Sequence, residues 1–96
     1  MTLSEAQKKR LRGRGHKLKP IVTVGGAGLS GSLLEEFASS LDHHELMKIR
    51  VRVGDRETRD AIIARLCRDS GAELIQRIGN VALVYKENPD KSKPGQ

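Results

Sequence analysis

The stretch "PIVTVGGAGLSG", residues 20–31, decides the fold, because it contains a strand, a glycine-rich loop and a helix start in direct succession. Ile21–Val24 has the β-branched composition of a buried strand, and Ser30 is a suitable N-cap for a helix. The loop between them contains two overlapping motifs. Gly26–Gly31 is a G-x-G-x-x-G, the dinucleotide-binding fingerprint, whereas Gly25–Gly28 is a G-x-x-G, a type of loop that clamps an RNA backbone.

Two periodic patterns follow this stretch. The segment after Ser30 has apolar residues at helical spacing, which predicts one buried stripe. Residues 46–53 alternate between apolar and basic side chains, which predicts a strand with one buried face. The stripe comprises Leu33, Leu34, Phe37, Ala38 and Leu41. The strand places Met47, Ile49, Val51 and Val53 on the buried face and Lys48, Arg50 and Arg52 on the open face.

The remaining elements complete a small α/β domain. A short helix begins at Thr2, with Glu5 completing a capping box, and ends near Arg12. A third helix is capped by Asp55 and stopped by Gly71. Two final strands, 73–77 and 81–85, form a hairpin through Gly79 and Asn80. The predicted order is α-β-α-β-α-β-β, with one domain over residues 1–86 and a flexible tail over residues 87–96. The predicted core comprises Leu33, Leu34, Phe37, Met47, Ile49, Val51, Ile62, Ile63 and Leu66.

The positive charge is concentrated at the N-terminus. Residues 1–20 contain seven lysines and arginines and one glutamate, whereas the remaining residues contain 11 basic and 11 acidic side chains. The whole excess of +6 therefore lies in the first fifth of the chain. Such a cluster is typical of a protein with a polyanionic partner, although a solvated surface that maintains solubility is the alternative.

The sequence contains no complete motif for a metal site or a catalytic site. The single cysteine, Cys67, lies among apolar helix positions and is expected to fill the core, and a chain with one cysteine fits a reducing compartment. The sequence His43-His44-Glu45 lacks the second histidine of H-E-x-x-H, since Lys48 occupies that position. We therefore expect no metal, no cofactor, no small-molecule substrate and no catalysis. No segment is long and apolar enough to span a membrane, and a cytoplasmic monomer is expected.

The chain is too short for both halves of a dinucleotide domain, although Asp55 stands where a ribose-binding acid could lie. An RNA-binding loop requires a shorter chain than a dinucleotide domain does. Its glycines let backbone amides approach a phosphate closely, and a helix N-terminus adds further donors. Phe37 and Tyr85 are the only aromatic residues besides histidine, which argues against base stacking on an aromatic platform. The shape and backbone of a structured RNA are therefore the preferred target.

Four segments resemble the bacterial YhbY family, the stand-alone form of the CRM domain that also occurs in plant organelle splicing factors. They are "LRGRGHKLKPIVTVGGAGLS", "LDHHELMKIRV", "DRETRDAI" and "GAELIQRIGNVALVYK", in matching order within residues 2–86. The resemblance implies a mixed four-stranded sheet with packed helices, similar to the C-terminal domain of bacterial translation initiation factor three. It also implies a protein that binds ribosomal RNA in precursors of the large ribosomal subunit and assists their assembly.

The resemblance assigns candidate RNA-binding residues. The loop carries over to Gly25, Gly26, Ala27 and Gly28, and the adjoining basic segment to Arg14, His16, Lys17 and Lys19. The basic face of the second strand, Lys48, Arg50 and Arg52, is a possible second contact surface. The departure at Gly31, where relatives often have a larger residue, is what completes the dinucleotide pattern. Three alternatives remain open: a nucleotide-binding protein, a module that binds a ribosomal protein, and a nonspecific basic arm.

Overall fold

The computed structural model describes residues 3–88 and has the element order expected from the sequence. Three helices and four strands alternate along the chain, with the hairpin at its end. The elements are α1 (Glu5–Gly15), β1 (Pro20–Val24), α2 (Gly31–His44), β2 (Leu46–Val51), α3 (Arg56–Ser70), β3 (Glu73–Ile78) and β4 (Val81–Tyr85). None of the helices in the described range is long and apolar enough to cross a bilayer.

The four strands form one mixed sheet in the order β1-β2-β4-β3. β1 and β2 are parallel, with Val24 opposite Val51, because α2 carries the chain back to the start of the sheet between them. The other two pairings are antiparallel. The parallel pairing places the C-terminal ends of β1 and β2, and therefore the loops that follow them, at the same end of the sheet.

One face of the sheet is covered by α2 and α3. Phe37 and Leu41 of α2 and Ile63 and Leu66 of α3 pack against the inward residues of the strands, and each of these four is at most 1% exposed. The predicted core is confirmed, with Leu33, Leu34 and Ile62 at its half-buried margin. The strand residues in this core are Val22, Val24, Met47, Ile49, Val51, Ala82 and Val84.

The opposite face is covered by α1, but only at one end. Leu3 and Leu11 form a second apolar cluster with Leu46, Ile75 and Leu83, which the periodicity of β2 did not predict. α1 continues past the expected end at Arg12 to Gly15, which lies directly against Leu83. A Cβ atom at position 15 would lie 2.5 Å from a methyl group of Leu83, so this contact requires glycine or a displaced leucine. The other end of this face remains open.

The helix ends follow the capping rules, with one correction. Ser4, not Thr2, caps α1: its hydroxyl accepts a hydrogen bond from the amide of Gln7, and the Gln7 side chain accepts one from the amide of Ser4. The capping box therefore lies two residues later than predicted, since S-x-x-Q satisfies the same donors as T-x-x-E. Asp55 caps α3 and Gly71 ends it with φ +77°, both as predicted.

The chain beyond β4 is attached to the end of α2. The amide of Lys86 donates to the backbone oxygen of Glu45 at 2.9 Å, and the amide of Asn88 donates to the Glu45 carboxylate at 2.6 Å. Glu45 has φ +62°, a value uncommon for a residue with a side chain, and these two hydrogen bonds fix it there. These contacts involve Asn88, the second residue of the predicted tail, and residues 89–96 lie outside the described residues.

Candidate nucleic-acid interface

The glycine loop forms an exposed turn at the end of β1. The amide of Gly28 donates to the backbone oxygen of Gly25 at 3.0 Å, and Gly28 has φ +81°. The amides of Gly26 and Ala27, at the tip of this turn, have no hydrogen-bond acceptor among the described residues. Two adjacent unpaired amides on an exposed turn can donate to one anionic oxygen, because no side chain at Gly26 shields them.

The start of α2 adds further donors beside this turn. The Ser30 hydroxyl accepts from the amide of Leu33 at 3.2 Å, and the Ser30 backbone oxygen accepts from the amide of Leu34. The amides of Gly31 and Ser32 come earlier in the first turn, where the helix itself provides no acceptor. The first turn of α2 contains no acidic side chain, so the positive end of the helix dipole remains available to an anion.

Two arginines of the β2 segment lie next to the glycine turn. The amide of Arg52 donates to the backbone oxygen of Val24 at 2.8 Å, which fixes Arg52 beside the residue that precedes Gly25. Arg50 is opposite Thr23 in the register of β1 and β2. Both arginine side chains are exposed. The parallel pairing therefore brings two cations from the middle of the chain to the loop.

A groove extends from Arg50 across the open part of the sheet. It begins where α1 ends, has a volume of about 330 Å³, and contains no acidic side chain among the described residues that line it. Lys48 and His16 lie in it together with Arg50. The complete lining is His16, Pro20, Lys48, Arg50, Gln76, Ile78, Val81 and Leu83.

The basic connector divides between two places. His16 caps the end of α1 and lines the groove. Lys17 and Lys19 are exposed and precede β1, so they lie at the end of the strand opposite the loop, a distance of about 16 Å for five strand residues. Arg14 is in the last turn of α1, beside Tyr85. The structure thus brings Arg50 and Arg52 to the glycine turn, and it places Lys17 and Lys19 away from it.

The carboxylate of Asp55 has a structural role. Its Oδ2 accepts hydrogen bonds from the amide and the hydroxyl of Thr58, each at 2.9 Å. The hydrogen bond from the Thr58 amide is the largest cause that lowers the pKa of Asp55 below its ordinary value. This oxygen is therefore occupied by the N-terminus of α3, as expected for the N-cap of that helix.

The described residues contain no group of three or more histidine, cysteine and acidic side chains that could hold a metal ion. Cys67 is half-buried and packs against the main core, as predicted. Burial, followed by the nearby charge of Glu73, raises the pKa of the Cys67 thiol from 9.0 to about 11. A thiol of this kind is protonated at neutral pH and is a poor nucleophile.

Sequence reasoning missed the β3–β4 side of the groove. Gln76, Ile78, Val81 and Leu83 are ordinary strand residues, and they face Lys48 and Arg50 only because β4 pairs with β2. The one local signal was Ile78, a large apolar residue directly before the hairpin turn. It is 69% exposed.

The protein-family comparison identifies the sequence class. Residues 3–86 match the model of the CRS1/YhbY (CRM) domain. A Pseudomonas aeruginosa protein named "Probable RNA-binding protein" is 40% identical over 93 residues, with 97% of this chain and 89% of the relative covered. A Haemophilus influenzae protein named "RNA-binding protein" is also 40% identical, over 89 residues, with 93% of this chain and 90% of the relative covered.

A solved structure has the same fold. The solution structure of a hypothetical protein from Staphylococcus aureus has a TM-score of 0.79 with this chain and is 26% identical in sequence. The match covers 99% of this chain and 95% of the other. The mixed four-stranded sheet that the resemblance implied is therefore confirmed both in this chain and by comparison.

Proposed function

The chain belongs to the CRS1/YhbY (CRM) domain family, and we propose that it is a non-enzymatic RNA-binding protein that contacts the phosphates of structured ribosomal RNA. The family and its relatives named as RNA-binding proteins indicate RNA as the partner. We further propose that the target lies in precursors of the large ribosomal subunit, whose assembly in the cytoplasm the protein assists as a monomer. The observation that carries the proposal is the grouping of unpaired amides and arginines at one end of the sheet.

The glycine turn supplies the geometry for a phosphate contact. The amides of Gly26 and Ala27 and those of the first turn of α2 are all N–H donors on one exposed surface. Backbone donors of this kind bind a phosphate oxygen without reading the base, so they position the protein on an RNA rather than select a sequence. The loop residues assigned to this contact are Gly25, Gly26, Ala27 and Gly28.

The basic side chains supply the charge. Arg50 and Arg52 lie beside the loop and act as its immediate cationic partners, whereas Lys48 extends the positive surface along the groove, which His16 also lines. Arg14, Lys17 and Lys19 contact a more distant part of the backbone, since β1 separates the lysines from the loop. An RNA backbone must therefore extend over about 16 Å to contact both places.

Substitution of the loop tip tests this proposal. A Cβ atom at Gly26 would have no heavy atom within 4 Å, and Ala27 is exposed, so the double variant Gly26→Asp/Ala27→Asp should fold normally. We expect its affinity for a large-subunit ribosomal RNA fragment to fall by about tenfold or more, since two carboxylates replace two phosphate contacts. Affinity is measured by fluorescence anisotropy over a salt series, and circular dichroism checks the fold.

The matched control adds the same charge elsewhere. Ala38→Glu/Ser39→Glu places two carboxylates on α2, about two helical turns from the loop. Both positions are exposed in the structure, although the apolar stripe predicted that Ala38 is buried. We expect this control to retain affinity within about twofold to threefold, since its carboxylates lie about one Debye length from the loop at physiological salt. Equal losses in both double variants would contradict a specific role of the loop and would leave a nonspecific effect of net charge.

A further inference from the structure

The groove on the open face of the sheet has a chemistry different from that of the loop. Its floor is apolar, formed by Val81 and Leu83 of β4, and Ile78 forms an exposed apolar wall. Lys48 and Arg50 face this floor from β2, opposite Leu83 and Val81 respectively. A phosphate contact requires only the cations, so the apolar floor calls for an additional ligand group.

An unpaired nucleotide matches this combination. A base that has left its stack presents two apolar faces and a polar edge, and proteins hold such bases between aromatic or other apolar side chains and on arginine guanidinium groups. Here Ile78 and Val81 can contact the face, and the guanidinium of Arg50 or the ring of His16 can cover the opposite side. The Gln76 amide can donate to and accept from the polar edge, since it is exposed on the neighbouring strand.

The position of the groove links it to the proposed phosphate site. Arg50 belongs to both, since it lines the groove and is paired with β1 one residue before Val24. An RNA backbone held at the glycine turn can therefore continue over Arg50 towards Lys48. None of the described residues lining this route is acidic, which favours a polyanion over a polypeptide of mixed charge.

Resting on the proposed function, we propose that this groove binds the base of one unpaired nucleotide in the structured RNA held at the glycine turn. The phosphate contacts then provide affinity, and the groove provides a preference for an RNA that has a bulge or loop at the right distance. This chain uses aliphatic side chains, arginine and histidine for the base, which explains how a protein with one phenylalanine and one tyrosine can bind it.

Two hairpin RNAs with the same stem test the inference, one fully paired and one with a single bulged 2-aminopurine nucleotide. In both, an ethylene glycol linker replaces the nucleotide loop, so the bulge supplies the one unpaired base. We expect the wild-type protein to bind the bulged hairpin about tenfold more tightly, the affinity ratio that corresponds to ~1.4 kcal/mol. The emission of the 2-aminopurine should change on saturation, because the base leaves water or its neighbours and enters the groove.

The variant Gln76→Ala/Ile78→Ala removes the polar contact and the apolar wall without a change in charge. Both residues are exposed, so the fold should persist. We expect it to bind the two hairpins with equal affinity and the paired hairpin as wild type does. Leu74→Ala is the matched control, because Leu74 is an exposed apolar residue of the same strand that lies beside α3 on the opposite face. It should retain the preference.

Failure of the inference differs from failure of the proposed function. A wild-type protein that binds both hairpins equally, or a Gln76→Ala/Ile78→Ala variant that keeps the preference and the emission change, would overturn the groove assignment alone. A wild-type protein that binds neither hairpin nor the ribosomal RNA fragment would overturn both. In the loop variant Gly26→Asp/Ala27→Asp, we expect weaker binding to both hairpins with the preference preserved.

Discussion

The glycines of this chain differ in whether the structure requires a residue without a side chain. Gly28 has φ +81° and closes the turn at the end of β1, whereas Gly31 is the first residue of α2 and has open space where a Cβ atom would lie. Gly15 allows the close approach of α1 to Leu83, whose side chain would have to move if a Cβ atom were present. The motif G-x-G-x-x-G therefore combines a glycine with a conformational requirement and one that has none, which a pattern of letters does not distinguish.

Alanine substitutions should separate these roles. We expect Gly28→Ala to lower the free energy of unfolding by about 1–2 kcal/mol, because an L-residue is strained in the left-handed region. Gly31→Ala, with no steric neighbour, should leave the stability unchanged or raise it by up to about 1 kcal/mol through a less flexible unfolded chain. Urea denaturation measures both. A Gly31→Ala variant less stable than Gly28→Ala would contradict this assignment.

Cys67 should be a slow nucleophile. Burial raises the pKa of its thiol to about 11, so very little thiolate exists at pH 8. We expect iodoacetamide to alkylate the folded protein at least about tenfold more slowly than the urea-unfolded protein, and mass spectrometry follows the reaction. Equal rates would show that the thiol is neither buried nor shifted.

The same shift has a direction for stability. The pKa of Cys67 is higher in the folded state than the ordinary 9.0, so the folded protein keeps the thiol proton to a higher pH than the unfolded chain does. The contribution of this thiol to the free energy of unfolding is therefore fully present below pH 9 and is lost as the pH rises towards 11. The opposite sign applies to Asp55, whose lowered pKa stabilises the fold above its ordinary value of 3.8 and ceases to do so in acid.

At the scale of elements, the alternation of β2 predicted one buried face, and the structure confirms it for Met47, Ile49 and Val51. The same alternation could not predict that α1 would cover part of the other face, since Leu11 of α1 and Leu3 just before it are too few to produce a periodic signal. On this face of β2, Leu46 is therefore buried in the cluster with Leu11 of α1, whereas Arg50 is exposed.

The arginines of the β2 segment should contribute to the salt dependence of RNA binding, because each phosphate contact releases counterions. If Arg50 and Arg52 each contact one phosphate, Arg50→Ala/Arg52→Ala should reduce the slope of log affinity against log salt by about 1.8, or 0.9 for each contact with a duplex. Isothermal or anisotropy titrations at several salt concentrations measure this slope.

A control on α3 removes the same charge. Arg65 and Arg68 are exposed and each lies near Asp69, with nitrogen–oxygen distances of 3.5 and 3.7 Å. Arg65→Ala/Arg68→Ala should leave the slope nearly unchanged. If the two double variants change the slope equally, the arginines act through net charge, and the interface assigned to β2 is wrong.

At the scale of the whole molecule, local sequence patterns predicted the order of helices and strands and most of the core. The resemblance to the YhbY family added the mixed sheet, which the structure confirms. Neither gave the distances among the candidate residues, because these depend on which strands pair. The parallel register of β1 and β2 places Arg52 at Val24, 28 positions earlier in the sequence, whereas Lys19, five positions before Val24, lies at the far end of the strand.

The distribution of positive charge along the sequence differs from its distribution around the glycine turn in the fold. The first 20 residues contain the whole positive excess, yet the cations nearest to the glycine turn come from the β2 segment, within a part of the chain that is neutral overall. A basic arm alone would bind RNA through residues 1–19. The arrangement at the loop instead combines backbone donors with two arginines, and the two accounts predict different contact surfaces.

The assignment of RNA binding to the glycine turn and the β2 arginines can be tested by nuclear magnetic resonance. The ¹⁵N-labelled protein is titrated with a structured large-subunit ribosomal RNA fragment, and the amide chemical shifts are followed. The account predicts that the largest shift changes occur at Gly26, Ala27, Gly31 and Ser32 and at Arg50 and Arg52, with smaller changes along the groove. Changes confined to residues 3–19, or centred on the exposed surface of α3, would contradict it and assign RNA binding to a different surface of the protein.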